Sequence, residues 1–226
     1  MYAIINNIYD TDSSSHRHIH KDLIINILTY LCEHVNTKIR NYVTLNDRKE
    51  GEYKEWYSNG RMYIRCAYVN DKEEGEYKRW YGCGRLEEQC TYVNGKREGK
   101  FESWYVNGQL MDQYTHKNGK LEGKFISWYA NGQLWVQCTF VNGKKEGECK
   151  RWHDNGQQMA LCTYVNDKLE CEYIFRSTNG QLLEQCTYKN GKKNGEYKGW
   201  HDNGQLAVHC TYADGQIVNR YKMIRW

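Results

Sequence analysis

The sequence predicts an all-β chain, an elongated antiparallel β-meander of seven 24-residue hairpin repeats with one N-terminal capping α-helix. Three observations carry this expectation. Gly51, Gly75, Gly99, Gly123, Gly147 and Gly195 stand on one 24-residue register, with Cys171 in the remaining slot. Five residues after each glycine comes Trp56, Trp80, Trp104, Trp128, Trp152 or Trp200, and Arg176 follows Cys171 in the same way. A fixed period of about 20–50 residues marks an array whose units bury their faces only against neighbours. Each period also holds two turn signals between short aromatic and β-branched runs, the pattern of two antiparallel strands.

The first turn signal is Asn59-Gly60, repeated at Asn107-Gly108, Asn131-Gly132, Asn155-Gly156, Asn179-Gly180 and Asn203-Gly204. Asn-Gly tolerates two positive φ angles, so a type I′ hairpin turn is expected there. The second signal follows eleven residues later, as Asn70-Asp71, Asn94-Gly95 and their equivalents through Asp214-Gly215. Between the turns Met62, Ile64, Cys66 and Tyr68 alternate with Arg61, Tyr63, Arg65 and Ala67, which places the first set on one face. The first strand adds an aromatic column, Tyr53, Tyr77, Phe101, Phe125, Tyr173 and Tyr197. Half-repeats at 41–50 and 219–224, the latter with Tyr221 in the Tyr53 column, are expected to shield the open edges.

Of the ten cysteines, Cys66, Cys90, Cys138, Cys162, Cys186 and Cys210 share one column. Column mates in adjacent hairpins lie two strands apart, about 9–10 Å, beyond the roughly 7 Å reach of a disulfide. The ladder therefore reads as buried, reduced thiols, and no metal-ligand spacing such as C-x₂-C is present. The tryptophan column lies three residues from Tyr53, so a regular strand points it to the opposite face unless a bulge re-aims it. Two readings stay open: packing along the sheet, or an aromatic floor for a partner, with Trp56, Trp80, Trp104, Trp128, Trp152 and Trp200 as the candidate binding face.

The net charge of +4 is spread over mixed signs, unlike the one-signed stripe of a nucleic-acid binder. Mean hydropathy is −0.94, and no run approaches the ~18 apolar residues of a membrane span. The start carries neither a basic n-region nor a continuous apolar core, so no signal peptide is expected and the location is read as cytoplasmic. Residues 1–20 read as a mobile polar arm, 21–40 as an amphipathic helix and 41–226 as the array. In the helix, Leu23, Ile24, Ile27, Leu28, Leu31, Val35 and Ile39 recur at three and four behind Asp22 as N-cap.

His153-Asp154 and His201-Asp202 invite an acid–base reading, yet both pairs occupy ordinary repeat positions leading into a turn that favours Asp. No phosphate loop, dinucleotide fingerprint or zincin motif occurs. No catalytic residue, metal or cofactor is therefore expected.

With Gly-Glu-Tyr-Lys-x-Trp-Tyr-x-Asn-Gly and Tyr-x-Asn-Gly-Lys-x-x-Gly repeated in register, residues 41–224 resemble the MORN-repeat variant family, found also in YwqK-type antitoxins and in giant-virus genomes. The resemblance implies an extended β-meander used for protein contacts, with binding of lipid headgroups in some members and no catalysis by the repeats. If the chain is viral, its place is the host cytoplasm. Lys21 to Leu31 is similar to the opening of an F-box, which would dock Skp1 through Leu23, Ile24, Ile27, Leu28 and Leu31. The same helix reads equally as a cap over the first strand. The expected function is a monomeric, non-catalytic protein–protein interaction scaffold with an unidentified protein partner. A Skp1-linked substrate receptor of a ubiquitin ligase and a peripheral binder of anionic lipid are the alternatives.

Overall fold

In a computed structural model, residues 39–45 and 48–221 are described. Every regular element among them is a strand, eighteen in all. The first half holds β1 (Ile39–Leu45), β2 (Arg48–Trp56), β3 (Met62–Val69), β4 (Lys72–Glu73), β5 (Gly75–Trp80), β6 (Leu86–Val93), β7 (Lys96–Trp104), β8 (Leu110–Lys117) and β9 (Lys120–Trp128). The second holds β10 (Leu134–Val141), β11 (Lys144–Lys145), β12 (Gly147–Trp152), β13 (Gln158–Val165), β14 (Lys168–Arg176), β15 (Leu182–Lys189), β16 (Lys192–Trp200), β17 (Leu206–Ala213) and β18 (Gln216–Arg220). Each pairs antiparallel with its chain neighbours; β4 and β11 are the starts of β5 and β12 set off by a bulge, so β3 and β10 pair with both pieces.

The expected fold class is corrected at its N-terminal end. Ile39 and Arg40, assigned to the helix, are strand residues opposite Trp56 and Glu55. The run Ile39-Arg40-Asn41-Tyr42-Val43-Thr44-Leu45 is rich in β-branched and aromatic side chains that suit a pleated surface, and β1 pairs the edge of β2. The remainder of the expected helix, and the polar arm, lie outside the described residues.

The two turns of each repeat differ in kind. Asn70 and Asp71 have φ of 50° and 65°, and Asn94 and Gly95 have 52° and 74°, the two left-handed residues of a type I′ turn. At the other end the expectation of a type I′ turn is overturned. Of Asn59 and Gly60 only the glycine is left-handed, at φ 77°. Tyr57 N–H donates to Arg61 O at 2.8 Å and Gly60 N–H to Tyr57 O at 3.0 Å, closing a three-residue loop. This is a type I turn followed by a left-handed glycine. The Asn59 Oδ1 accepts the Arg61 N–H at 3.1 Å, an Asx bond that holds the asparagine inside the loop.

The registered glycines explain the period. Gly99 has φ 74° and lies in a bulge where Gln89 faces Glu102 but Thr91 faces Glu98, so β7 carries two more residues than β6. Cys171 keeps the same conformation, φ 70°, and the same bulge, with Leu161 facing Ile174 and Thr163 facing Glu170. Asn219, in the glycine slot of the last half-repeat, does not. There Cys210 faces Arg220, where Cys186 faces Tyr197 one repeat earlier. The register is one residue short, and a one-residue slip moves a side chain to the other face. Tyr221 accordingly leaves the Tyr53 column and stacks on His209, ring centroids 4.1 Å apart.

Candidate functional site

One face of the sheet carries the aromatic and cysteine columns. Tyr53, Phe101 and the thiols Cys66, Cys90, Cys162, Cys186 and Cys210 are buried. The other column aromatics, among them Tyr77, Phe125, Tyr164, Tyr188 and Tyr212, are half-buried. Edge-to-face pairs recur across most hairpins, as in Tyr53–Tyr68 and Tyr77–Tyr92 at 5.6 Å, a geometry that adds about 0.5–1.5 kcal/mol beyond burial. The opposite face is polar. There Glu102 accepts hydrogen bonds from Gln89 at 2.9 Å and Gln113 at 3.1 Å, tying together β6, β7 and β8.

The six tryptophans of the candidate face, Trp56, Trp80, Trp104, Trp128, Trp152 and Trp200, are all half-buried. Each sits at a bulge: Glu55 faces Ile64, but Trp56 faces Met62, leaving Tyr63 as the extra residue. The extra residue is on the facing strand, so β2 itself keeps its alternation through Trp56, as the sequence spacing implied. The tryptophan main chain also holds the array together. Tyr57, Tyr81, Tyr105 and Tyr129 donate their hydroxyls to the carbonyls of Trp80, Trp104, Trp128 and Trp152 at 2.7–2.9 Å, one repeat ahead. His153 takes the same position and reaches Arg176 O at 2.9 Å, which requires its Nε2 to carry the proton. A parallel ladder runs from Asn59, Asn107, Asn131 and Asn155 to the next turn's carbonyls at 2.7–3.0 Å. At the opposite end Glu50, Glu74, Glu98 and Glu122 accept the N–H of Asn70, Asn94, Asn118 and Asn142 at 2.6–2.9 Å. The Skp1-docking candidates Leu23, Ile24, Ile27, Leu28 and Leu31 lie outside the described residues.

Charge on the aromatic face is unevenly compensated. Arg79 is held by Glu87 at 3.0 Å and Glu88 at 3.2 Å, and Lys193 by Glu184 at 2.9 Å. Lys145 and Arg151 form no ion pair among the described residues, although Lys145 lies over the Tyr164 ring at 5.1 Å. Burial pushes the Cys66, Cys90 and Cys186 thiols up to about 11 and the Tyr114 hydroxyl up to about 12.

The expectation of an entirely reduced cysteine set is corrected. Cys138 and Cys149 form a disulfide across β10 and β12, with Cα atoms 4.3 Å apart. Ladder mates remain unbridged, as their spacing requires. Cys149 is not a ladder cysteine: it occupies the Tyr53 column, whose members face the ladder column directly across the strand pair, a cysteine everywhere except at Tyr114. The signal was present in the sequence as the one aromatic-column slot holding cysteine.

An open sheet in which each hairpin donates its side-chain hydrogen bonds to the next is a repeat array. A family model, the MORN repeat variant, matches residues 49–70, 97–118, 121–142, 145–166, 169–190 and 193–214, more than half of the chain. The chain belongs to that family. The unmatched hairpin between these segments is the one where Cys83 replaces the asparagine of the first turn. Curated protein sequences give no match. Among solved structures, the crystal structure of TarM is similar at 13% identity and a TM-score of 0.29, over 63% of this chain and 25% of that one. A mutant of S. aureus TarM in complex with Fondaparinux, alpha-GlcNAc-glycerol and UDP is similar at 12% identity and 0.29, over 64% and 26%. A TcdB2-TccC3-Cdc42 structure is similar at 14% identity and 0.17, over 80% and 12%. This chain spans about a quarter or less of each of those chains.

Proposed function

We propose that the protein is a non-catalytic scaffold that seats a protein partner along the tryptophan row of its sheet. One observation carries this reading. All strands among the described residues form one sheet, and the aromatic columns and the tryptophans are left half-buried along its length. Tyrosine and tryptophan are the residues that concentrate binding energy at interfaces, because their rings offer large area at small entropic cost. The repeat supplies such groups every two strands, about 9–10 Å apart, which suits an extended partner surface better than a small molecule.

The test compares wild type with a Trp80→Ala, Trp104→Ala and Trp128→Ala triple variant whose β-sheet circular dichroism matches the parent. A partner captured from cell lysate by the wild type is purified and its affinity for both proteins measured directly. A loss of at least about tenfold, the 1.4 kcal/mol expected of a single lost anchor, supports the reading. Equal affinity for both proteins moves the contact elsewhere and overturns it.

A further inference from the structure

In the fifth hairpin the aromatic column is interrupted by Cys149, which has a ladder cysteine on each flank. On one side is Cys138, its disulfide partner. On the other, Cys162 is its directly facing residue across β12 and β13, with the Cys162 thiol 3.5 Å from the Cys149 carbonyl. The three form one buried cluster, at 3%, 1% and 3% exposure. Elsewhere along the array the residue facing the ladder thiol is aromatic, as with Tyr53 and Cys66 or Tyr197 and Cys210. No other repeat places three cysteines in a row.

We propose that Cys138, Cys149 and Cys162 form a thiol–disulfide exchange site in which Cys162 displaces Cys138 from Cys149. The Cys162 thiolate attacks Cys149 Sγ along the disulfide axis. A Cys149–Cys162 bond forms, the Cys138–Cys149 bond breaks, and the electron pair leaves on Cys138 Sγ, which takes up the proton that Cys162 gave up. The step consumes no oxidant and leaves one disulfide and one thiol as before. Its effect is to move the covalent link from the β10–β12 junction between two repeats to the β12–β13 pair within one.

The surroundings favour Cys162 as the attacking group. Thiolate, not thiol, is the nucleophile. Burial raises the Cys162 thiol, but Arg151 and Lys145 both lower it and no carboxylate opposes them. For Cys66, Cys90 and Cys186 a neighbouring carboxylate works against the nearest cation, Glu73 against Lys49, Glu88 against Arg97 and Glu184 against Lys193. Lys145 and Arg151, without ion-pair partners among the described residues, thus stand beside the ladder thiol that has a disulfide within one strand of it.

Lys144, Lys145, Lys150 and Arg151 place the three cysteines on separate tryptic peptides. Oxidised full-length protein is equilibrated under native, oxygen-free conditions, quenched in acid, alkylated and digested without reduction. Cys149 is expected in two linked peptides, one with Cys138 and one with Cys162, and the second disappears in Cys162→Ser. Arg151→Leu is expected to slow the approach to that mixture several-fold without preventing it. A wild type in which Cys149 remains linked to Cys138 alone, before and after equilibration, overturns the proposal, and so does an exchange rate unchanged by Arg151→Leu.

Discussion

The Tyr105 hydroxyl donates a 2.8 Å hydrogen bond to the Trp128 carbonyl, joining the end of one hairpin to the same point of the next. The bond gives a partner to the carbonyl one residue beyond Ser127, where the pairing of β9 with β8 ends. Tyr105→Phe keeps the ring and removes only this contact. It is expected to lower the unfolding free energy by about 0.5–1.5 kcal/mol, read from urea denaturation. A variant as stable as the parent would show that water replaces the hydroxyl at no cost.

Cys171 adopts φ 70°, a conformation that costs a non-glycine residue about 1–2 kcal/mol. Cys171→Gly relieves that penalty, partly offset by the greater freedom of glycine in the unfolded chain. The expected result is a protein about 0.5–1 kcal/mol more stable. Thermal unfolding measures it, and a destabilised variant would mean that the cysteine side chain contributes contacts of its own.

The Cys138–Cys149 link closes a segment with a sequence separation of 11. Constraining a loop of that size in the unfolded chain is worth about 3 kcal/mol in the chain-entropy account. Excess reductant should therefore lower the denaturation midpoint while leaving the sheet folded. Cys149→Tyr, which restores the aromatic column, should make the midpoint indifferent to reductant. Persistence of the reductant effect in that variant would place the sensitive bond elsewhere.

Burial raises the Cys66, Cys90 and Cys186 thiols from 9.0 to about 11, so the folded state favours their protonated form. Their contribution to stability is complete below pH 9 and is lost as pH climbs toward 11. Denaturation midpoints measured across this range should fall progressively. A variant with all three replaced by Ala should start lower and decline less steeply. Parallel slopes in the two proteins would assign the alkaline loss to other groups.

Much of the architecture was legible because turn chemistry and period-two alternation act locally. Asn94-Gly95 forms the type I′ turn its dipeptide suggests, and Tyr53 faces Cys66 as the columns require. Asn59-Gly60 misled because the same dipeptide also fits a longer loop, and the choice is made by closure at Tyr57 and Arg61. Tyr221 misled because its register depends on whether residue 219 adopts a left-handed backbone, which glycine or Cys171 does and Asn219 does not. The disulfide escaped because cysteine spacing was compared along one column, whereas Cys149 approaches Cys138 from the neighbouring column. The candidate face was legible as a row of tryptophans, but the bulge on the strand facing each of them was not, because it depends on pairing between strands.

The tyrosine and asparagine bonds that stitch the hairpins reach 23 residues along the chain, to the very next unit and no further. Excising residues 121–144 would bring Trp152 under Tyr105 and the Asp154 carbonyl under Asn107, the acceptors that Tyr129 and Asn131 now use. The molecule is in this respect a ruler cut in identical divisions. Its reach can grow or shrink by whole repeats through duplication or loss of coding sequence, with every surviving joint already fitted to its new neighbour.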